Sequence, residues 1–231
     1  MSPHTEDLDA WLARVTVDPS IHALRPDYCA GLMVIAEIRS GPSGAESEAW
    51  LARAESAGHD GAVGQIELWR DTYRSFGAKP SRTRSSLDSL VRRAGAGPLP
   101  RINRITDVYN AISILHGVPI GVEDVDRYHG DLRLVRATGD ETFLTADHGE
   151  PIEELADPGE PIWRDDLGAT CRRWNWRQTT RTAITESTRT AVFVVDGLGT
   201  DAGDRVRGAL DALTHAVAPG SSPTTRLIRS P

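Results

Sequence analysis

The densest concentration of chemically able side chains in this sequence is the run Cys171, Arg172, Arg173, Trp174, Asn175, Trp176, Arg177, Gln178, Thr179, Thr180. Trp174 and Trp176 flank Asn175 and present broad apolar faces at alternate positions. The arginines and amides supply directed donors suited to phosphate, carboxylate or a base edge. Two readings stand: a recognition surface, or a strand with its tryptophans in the core and its arginines in water. The familiar catalytic constellations are missing, with no Walker loop, no G-x-S-x-G elbow and no H-E-x-x-H. The seven histidines (His4, His22, His59, His116, His129, His148, His215) are scattered, none at ligand spacing with another or with a cysteine. No metal and no cofactor is expected. Gly58 to Gly64 superficially resembles a phosphate loop, but it lacks a preceding apolar strand and the usual lysine, and reads as a helix start.

Charge is segregated along the chain. The formal net charge is −7, with a pI near 5.5, so the overall field does not steer the molecule to nucleic acid. Yet Lys79, Arg82, Arg84, Arg92, Arg93, Arg101 and Arg104 face only Asp88 in their stretch, which is +6 in 26 residues and leaves −13 for the remainder. Ten carboxylates between Asp140 and Asp166 face only Arg164. Most of those acids read as a solvated loop. Cys29 and Cys171 are too few for a disulfide framework, the N-terminus lacks signal-peptide character, and a cytoplasmic location is the expectation. No apolar run approaches bilayer length at a mean hydropathy of −0.35, so no membrane role is expected.

The elements that must position these residues are read from periodicity. Trp11 and Leu12 lie on a short helix closed by Pro19. The apolar run Cys29 to Ile38 is a buried strand. Helices are expected over Glu46 to Glu55, Gly61 to Phe76, from Ser85 past Val91, and from an Asn103 cap through Leu115. Strands follow at Leu132 to Ala137, Thr142 to Leu144, Pro161 to Arg164, Ala169 to Asn175 and Thr190 to Asp196, then an amphipathic helix over Thr200 to Val217. Helices first and a mainly antiparallel sheet after give an α+β class. Residues 1–218 read as one domain, and residues 219–231, rich in Ser, Pro and Thr, as a flexible tail.

Phe76 to Arg93, Ile102 to Asn110, Gly130 to Phe143, Gly159 to Asp166 and Trp174 to Gln178, in that order, resemble the B3/B4 domain. This is the tRNA-editing module of the phenylalanyl-tRNA synthetase beta subunit, also found as freestanding proteins, and the resemblance covers about residues 25–200. It implies a freestanding editor that hydrolyses the ester of a mischarged tRNA in trans, with aminoacyl-tRNA as partner and no DNA. Such an ester is already activated. A positioned water and dipoles aimed at the developing oxyanion suffice without a nucleophilic side chain or a metal.

Asn103, Asp107 and Asn110 match the family's I-N-x-x-x-D-x-x-N pattern. Asn110, Asp107 and Asp166 are the candidate catalytic residues, orienting amino acid and water. Asn103, Tyr109, Glu141, Trp174, Trp176, Arg177 and Gln178 are candidates for holding substrate. Lys79, Arg82, Arg84, Arg92 and Arg93 are candidates for the tRNA phosphates. Two departures stand out. The synthetase's pocket histidine is absent, since Pro119 and Ile120 are followed by Gly121, and its glycine-rich segment with a pocket glutamate is replaced by Trp174 to Gln178. Both point away from tyrosine removal. Some freestanding members that this chain resembles are held to clear canavanine, an arginine analogue, from arginine tRNA, and that resemblance makes it the leading substrate. The alternatives are a non-catalytic RNA-binding module and a hydrolase of a small amino acid derivative.

Overall fold

The structure is a computed structural model that describes residues 7–58, 60–147, 149–220 and 222–230. Three short elements, α1 (Leu8–Arg14), β1 (Thr16–Val17) and α2 (Pro19–Leu24), lead into β2 (Cys29–Ile35). Pro19 opens α2 rather than closing a helix. The Asp18 carboxylate accepts from Ser20 N at 2.8 Å, and a first-turn proline gives up only an N–H that the helix start leaves unpaired. Four helices follow: α3 (Ala45–Ser56), α4 (Asp60–Ser75), α5 (Ser86–Ala96) and α6 (Arg104–His116). Asn103 caps α6, its side chain accepting from Thr106 N at 2.8 Å.

The second half is largely β: β3 (Ile120–Asp124), β4 (Arg133–Arg136), β5 (Thr142–Asp147), β6 (Glu150–Leu155), β7 (Pro161–Arg164), β8 (Ala169–Arg172), β9 (Arg177–Gln178) and β10 (Ala191–Gly197), then α7 (Ala202–Val217) and β11 (Thr224–Arg229). The class is α+β. A four-stranded sheet has the order β11-β2-β10-β3, a five-stranded sheet the order β1-β4-β7-β8-β9, and β5 pairs with β6 as a separate ribbon. Every pairing is antiparallel except β1 with β4. β6 forms in the acidic stretch that reads as loop, and β3 in a stretch after Pro119 for which no element is expected.

Burial on both faces explains why β2 and β10 are continuous apolar runs. Strand side chains alternate, so Ala30, Leu32 and Val34 with Val192 and Val194 point toward the aromatic residues of the first core, among them Tyr28, Trp69, Trp163 and Trp174. Cys29, Met33 and Ile35 with Ala191, Phe193 and Val195 point the other way, onto α6 and α7. A Cβ at Gly31 would lie 2.3 Å from Val206 Cγ1, so glycine there lets α7 press against the sheet. Cys29 and Cys171, both buried free thiols, belong to the two different cores.

The expected flexible tail is corrected by β11. Residues 224–229 pair with β2 from Val34 to Cys29 and cover what would be an open sheet edge. Between Pro223 and Ser230 the segment TTRLIR has neither Ser nor Pro, and it alternates so that Leu227 meets one core and Ile228 the other. Arg226 fastens the strand, donating to the carbonyls of Leu12, Ala13 and Val15 at 2.8, 2.7 and 2.8 Å. Arg226→Ala is expected to lower unfolding free energy by about 1–2 kcal/mol in urea denaturation. A change within error would show that the three bonds contribute nothing net.

Candidate active site

The same alternation places two carboxyls on one wall. Asp196 follows Val192 and Val194 on the face of β10 that meets the aromatic core, and Glu123 lies opposite Val192 on the same face of β3. Facing them is the reversal between β8 and β9. Arg173 and Trp174 are both left-handed there, at φ of 47° and 71°, a conformation that non-glycine residues rarely adopt. The turn is held by Trp174 N donating to Pro161 O at 2.7 Å and Trp176 N to Arg172 O at 3.1 Å. Trp174 is fully buried, edge-on to Tyr28 at 4.9 Å and to Trp69 at 5.4 Å between ring centroids.

Between these walls lies a cleft of about 220 Å³, roofed by Ser86, Ser89 and Leu90 of α5 and by Tyr109 and Asn110 of α6. Asp196 forms its polar floor. Tyr28 Oη donates to Asp196 Oδ1 at 2.6 Å, Asn175 Nδ2 to Asp196 Oδ2 at 3.1 Å, and Tyr73 Oη to Asn175 Oδ1 at 3.1 Å. Removal from water outweighs these bonds and pushes the Asp196 carboxyl up to about 7. Burial also raises Glu123, against opposing bonds from Tyr128 Oη at 2.6 Å, Thr182 Oγ1 at 2.8 Å and Gln178 Nε2 at 3.2 Å. Cys171 lines the cleft too, but burial drives its thiol well above the ordinary range, so it is no nucleophile. The Asn110 amide has no hydrogen-bond partner among the described residues, nor do the buried Ser86 hydroxyl and Trp163 indole N–H. The cleft is therefore an apolar slot with open donors and two uncompensated carboxyls.

Of the residues singled out in the sequence, the cleft gathers Tyr109, Asn110, Trp174, Trp176, Arg177 and Gln178. It does not gather the others. Asp107 is fully buried one helical turn away, accepting from Ile102 N at 2.8 Å and Ser43 Oγ at 2.5 Å, which ties the start of α6 to the segment leading into α3. Asn103 is spent on its cap. Glu141 closes the loop before β5, accepting from Thr138 N at 3.0 Å and Arg164 Nη1 at 3.2 Å. Asp166 is exposed and pairs with Arg133 at 2.5 Å. Most of the acidic stretch is paired rather than simply solvated: Glu154, Asp157 and Glu160 with Arg172 or Arg173, and Asp165 with Arg181.

The run from Cys171 to Thr180 combines both of its readings, since Trp174 is core and Trp176 is half-buried at the cleft edge. Arg173 and Arg177 lie 4.6 and 4.5 Å from the Trp176 ring centroid. Lys79, Arg82, Arg92 and Arg93 are exposed and Arg84 half-buried, and among the described residues none of the five has an ion-pair partner. Ser86, Ser89 and Arg93 fall on one face of α5, so the basic surface meets the cleft mouth. Asp196 and Glu123 were missed in the sequence. Their only signal is a carboxyl at an inward position of an apolar strand.

A family model described as the B3/4 domain matches residues 68–208, more than half of the chain. The chain belongs to the B3/4 domain family. Among solved structures it is similar to an N-terminal fragment of the phenylalanyl-tRNA synthetase beta-subunit from Pyrococcus horikoshii, at 15% identity and a TM-score of 0.42. That match covers 92% of this chain, which spans half the length of the fragment. No curated protein matches it. No helix among the described residues is long and apolar enough to cross a membrane, and no group of three or more His, Cys, Asp or Glu among them is placed to hold a metal ion. His59 and His148 lie outside the described residues.

In this B3/4 domain the two departures at Gly121 and Gln178 are one feature. A Cβ at Gly121 would lie 2.9 Å from Gln178 Nε2, so glycine makes room for the glutamine that donates to Val122 O and Glu123 Oε1, each at 3.2 Å. The raised Asp196 also fixes a pH dependence. Between its unfolded value near 3.8 and about 7, the unfolded chain releases this proton before the folded one, so stability falls as pH rises through that window. Asp196→Asn should flatten this part of the profile in urea melts at pH 5, 6, 7 and 8. An identical slope in wild type and variant would exclude Asp196 as the titrating group.

Proposed function

We propose that this chain is a trans-editing aminoacyl-tRNA deacylase, hydrolysing the ester of a mischarged tRNA, with canavanyl-tRNA(Arg) as the leading substrate. The observation that carries the reading is a slot of about 220 Å³, with two buried carboxyls on its wall, opening beside a bank of unpaired cations. An amino acid esterified to RNA has that pattern of charge: a compact cationic part and a polyanionic remainder. Ionised Asp196, with Glu123 beside it, receives the ammonium or a cationic side chain in a low-dielectric setting where the attraction is strong. The flat walls of Trp163 and Trp176 suit a planar oxyguanidinium.

Among the candidate catalytic residues, Asn110 keeps its role, with its open amide directed at the ester carbonyl or the attacking water. Gln178 and Arg177 flank the other side, where the terminal ribose with its vicinal hydroxyl enters. Asp196 takes the orienting part first assigned to Asp107 and Asp166, because those two are spent elsewhere. Water attacks the ester carbonyl, the oxyanion collapses, and the ribose oxygen leaves with a proton supplied through water.

Deacylation of canavanyl-, arginyl-, tyrosyl- and phenylalanyl-tRNA by purified protein, with and without chelator, tests the reading. The expected outcome is rapid, chelator-resistant loss of one noncognate ester with its cognate counterpart spared. The rate should rise with pH through about 7 as Asp196 ionises. Asn110→Ala and Asp196→Asn should each slow turnover about 100-fold or more while the protein stays folded. Survival of every ester while tRNA still binds would replace the deacylase with a binding module.

A further inference from the structure

A second depression adjoins the cleft, of about 500 Å³, and shares Trp176 with it. Its walls come from the turn after α4, with Phe76, Lys79, Arg82 and Thr83, and from Arg173 and the segment Asp157 to Glu160 opposite. The two walls are bolted together by Arg173 Nη1 donating to Thr83 Oγ1 at 2.7 Å. The acids of this groove are each tied to an arginine. Glu160 is buried and takes Arg172 at 2.7 Å and Arg173 at 3.1 Å, while Asp157 takes Arg173 at 2.8 Å. Lys79 and Arg82 are exposed and have no ion-pair partner among the described residues, so the uncommitted charge of the groove is positive.

We infer that this groove is a binding track for a single-stranded polynucleotide, with phosphates held by Lys79 and Arg82 and a base stacked on the Trp176–Arg177 edge. A positive groove beside an aromatic and guanidinium plane is the combination that holds single strands without reading sequence. A duplex does not suit it, because its bases are already stacked on one another. The inference rests on the RNA-directed part of the reading above and adds the path of the strand. With the ester in the cleft, the preceding nucleotides pass Trp176 into the groove. Arg92 and Arg93 on α5 stand at the other side of the mouth and belong to the body of the RNA.

The test uses the full chain and a fluorescein-labelled oligoribonucleotide of about six nucleotides that carries no amino acid. Anisotropy titrations across a salt series should show binding that weakens with salt. Lys79→Ala/Arg82→Ala should reduce affinity at least 10-fold and flatten the log–log salt slope by about 1.4, the loss expected for two single-strand phosphate contacts. Trp176→Leu should weaken binding about 10-fold with the slope unchanged, since stacking releases no counterions. Arg39→Ala/Arg207→Ala, an equal charge loss away from the groove, should leave the slope as it is. An unchanged slope in Lys79→Ala/Arg82→Ala, equal loss in the Arg39/Arg207 control, or tighter binding of a blunt duplex or an acidic peptide overturns the track. Because the probe has no ester, its binding is decided separately from deacylation: a chain that holds the oligonucleotide this way but spares every ester keeps the track and loses the deacylase.

Discussion

The site depends on the burial of one indole. Trp174 fills the space between Tyr28 and Trp69, and reaching that space requires the chain to turn through two successive left-handed residues, Arg173 and Trp174. Such backbone costs on the order of 1–3 kcal/mol per residue. A fully buried tryptophan is worth about 3–5 kcal/mol against alanine, which offsets it. Extra restraint comes from both sides of the turn, since Arg172 and Arg173 converge on Glu160. The consequence is positional. Asn175 is carried onto Asp196 and Tyr73, Trp176 onto the boundary between cleft and groove, and Gln178 across to β3.

How arginine is distributed explains the character of the cleft. Buried carboxylates are ordinarily paired with cations, and this fold has arginines to spend. Arg172 and Arg173 go to Glu154, Asp157 and Glu160, and Arg181 to Asp165. Among the described residues, Asp196 and Glu123 receive only hydroxyls and amides. Both are consequently raised by burial. On the outer surface the imbalance is reversed, with cations from Lys79 to Arg93 left unpaired. One molecule of net charge −7 thus presents an acidic interior slot and a basic rim.

Local pattern was enough to read the parts whose causes are local. β2 and β10 announce themselves as apolar runs, α6 by Asn103 and its stripe, and α+β by the order of elements. The B3/4 motifs contain Asn110 and Trp174 to Gln178, which the fold gathers along the cleft. What stayed hidden was set by distant partners. Asp196 looks like the polar end of a strand, and only Tyr28, 168 residues away, and Asn175, 21 away, make it the floor of a cleft. Asp107 has the opposite history. Motif and helical spacing join it to Asn110, yet the segment leading into α3 arrives from 64 residues away and claims its carboxylate. The acidic stretch reads as solvated because the arginines that pair with it lie elsewhere in the sequence, and β11 reads as a tail because nothing local says that β2 lacks a neighbour.

Gly121 and Gln178 show why substitutions in such a cleft must be read in pairs. They lie on different sheets, 57 positions apart in sequence, and occupy one volume. A side chain at 121 requires the flexible Gln178 amide to swing aside, since a Cβ there would lie 2.9 Å from its nitrogen. From the opposite wall the Gln178 amide reaches across and donates to Glu123 Oε1 at 3.2 Å. Gly121, Gln178 and Glu123 therefore form one set, since a side chain at 121 displaces the amide that Gln178 holds against Glu123.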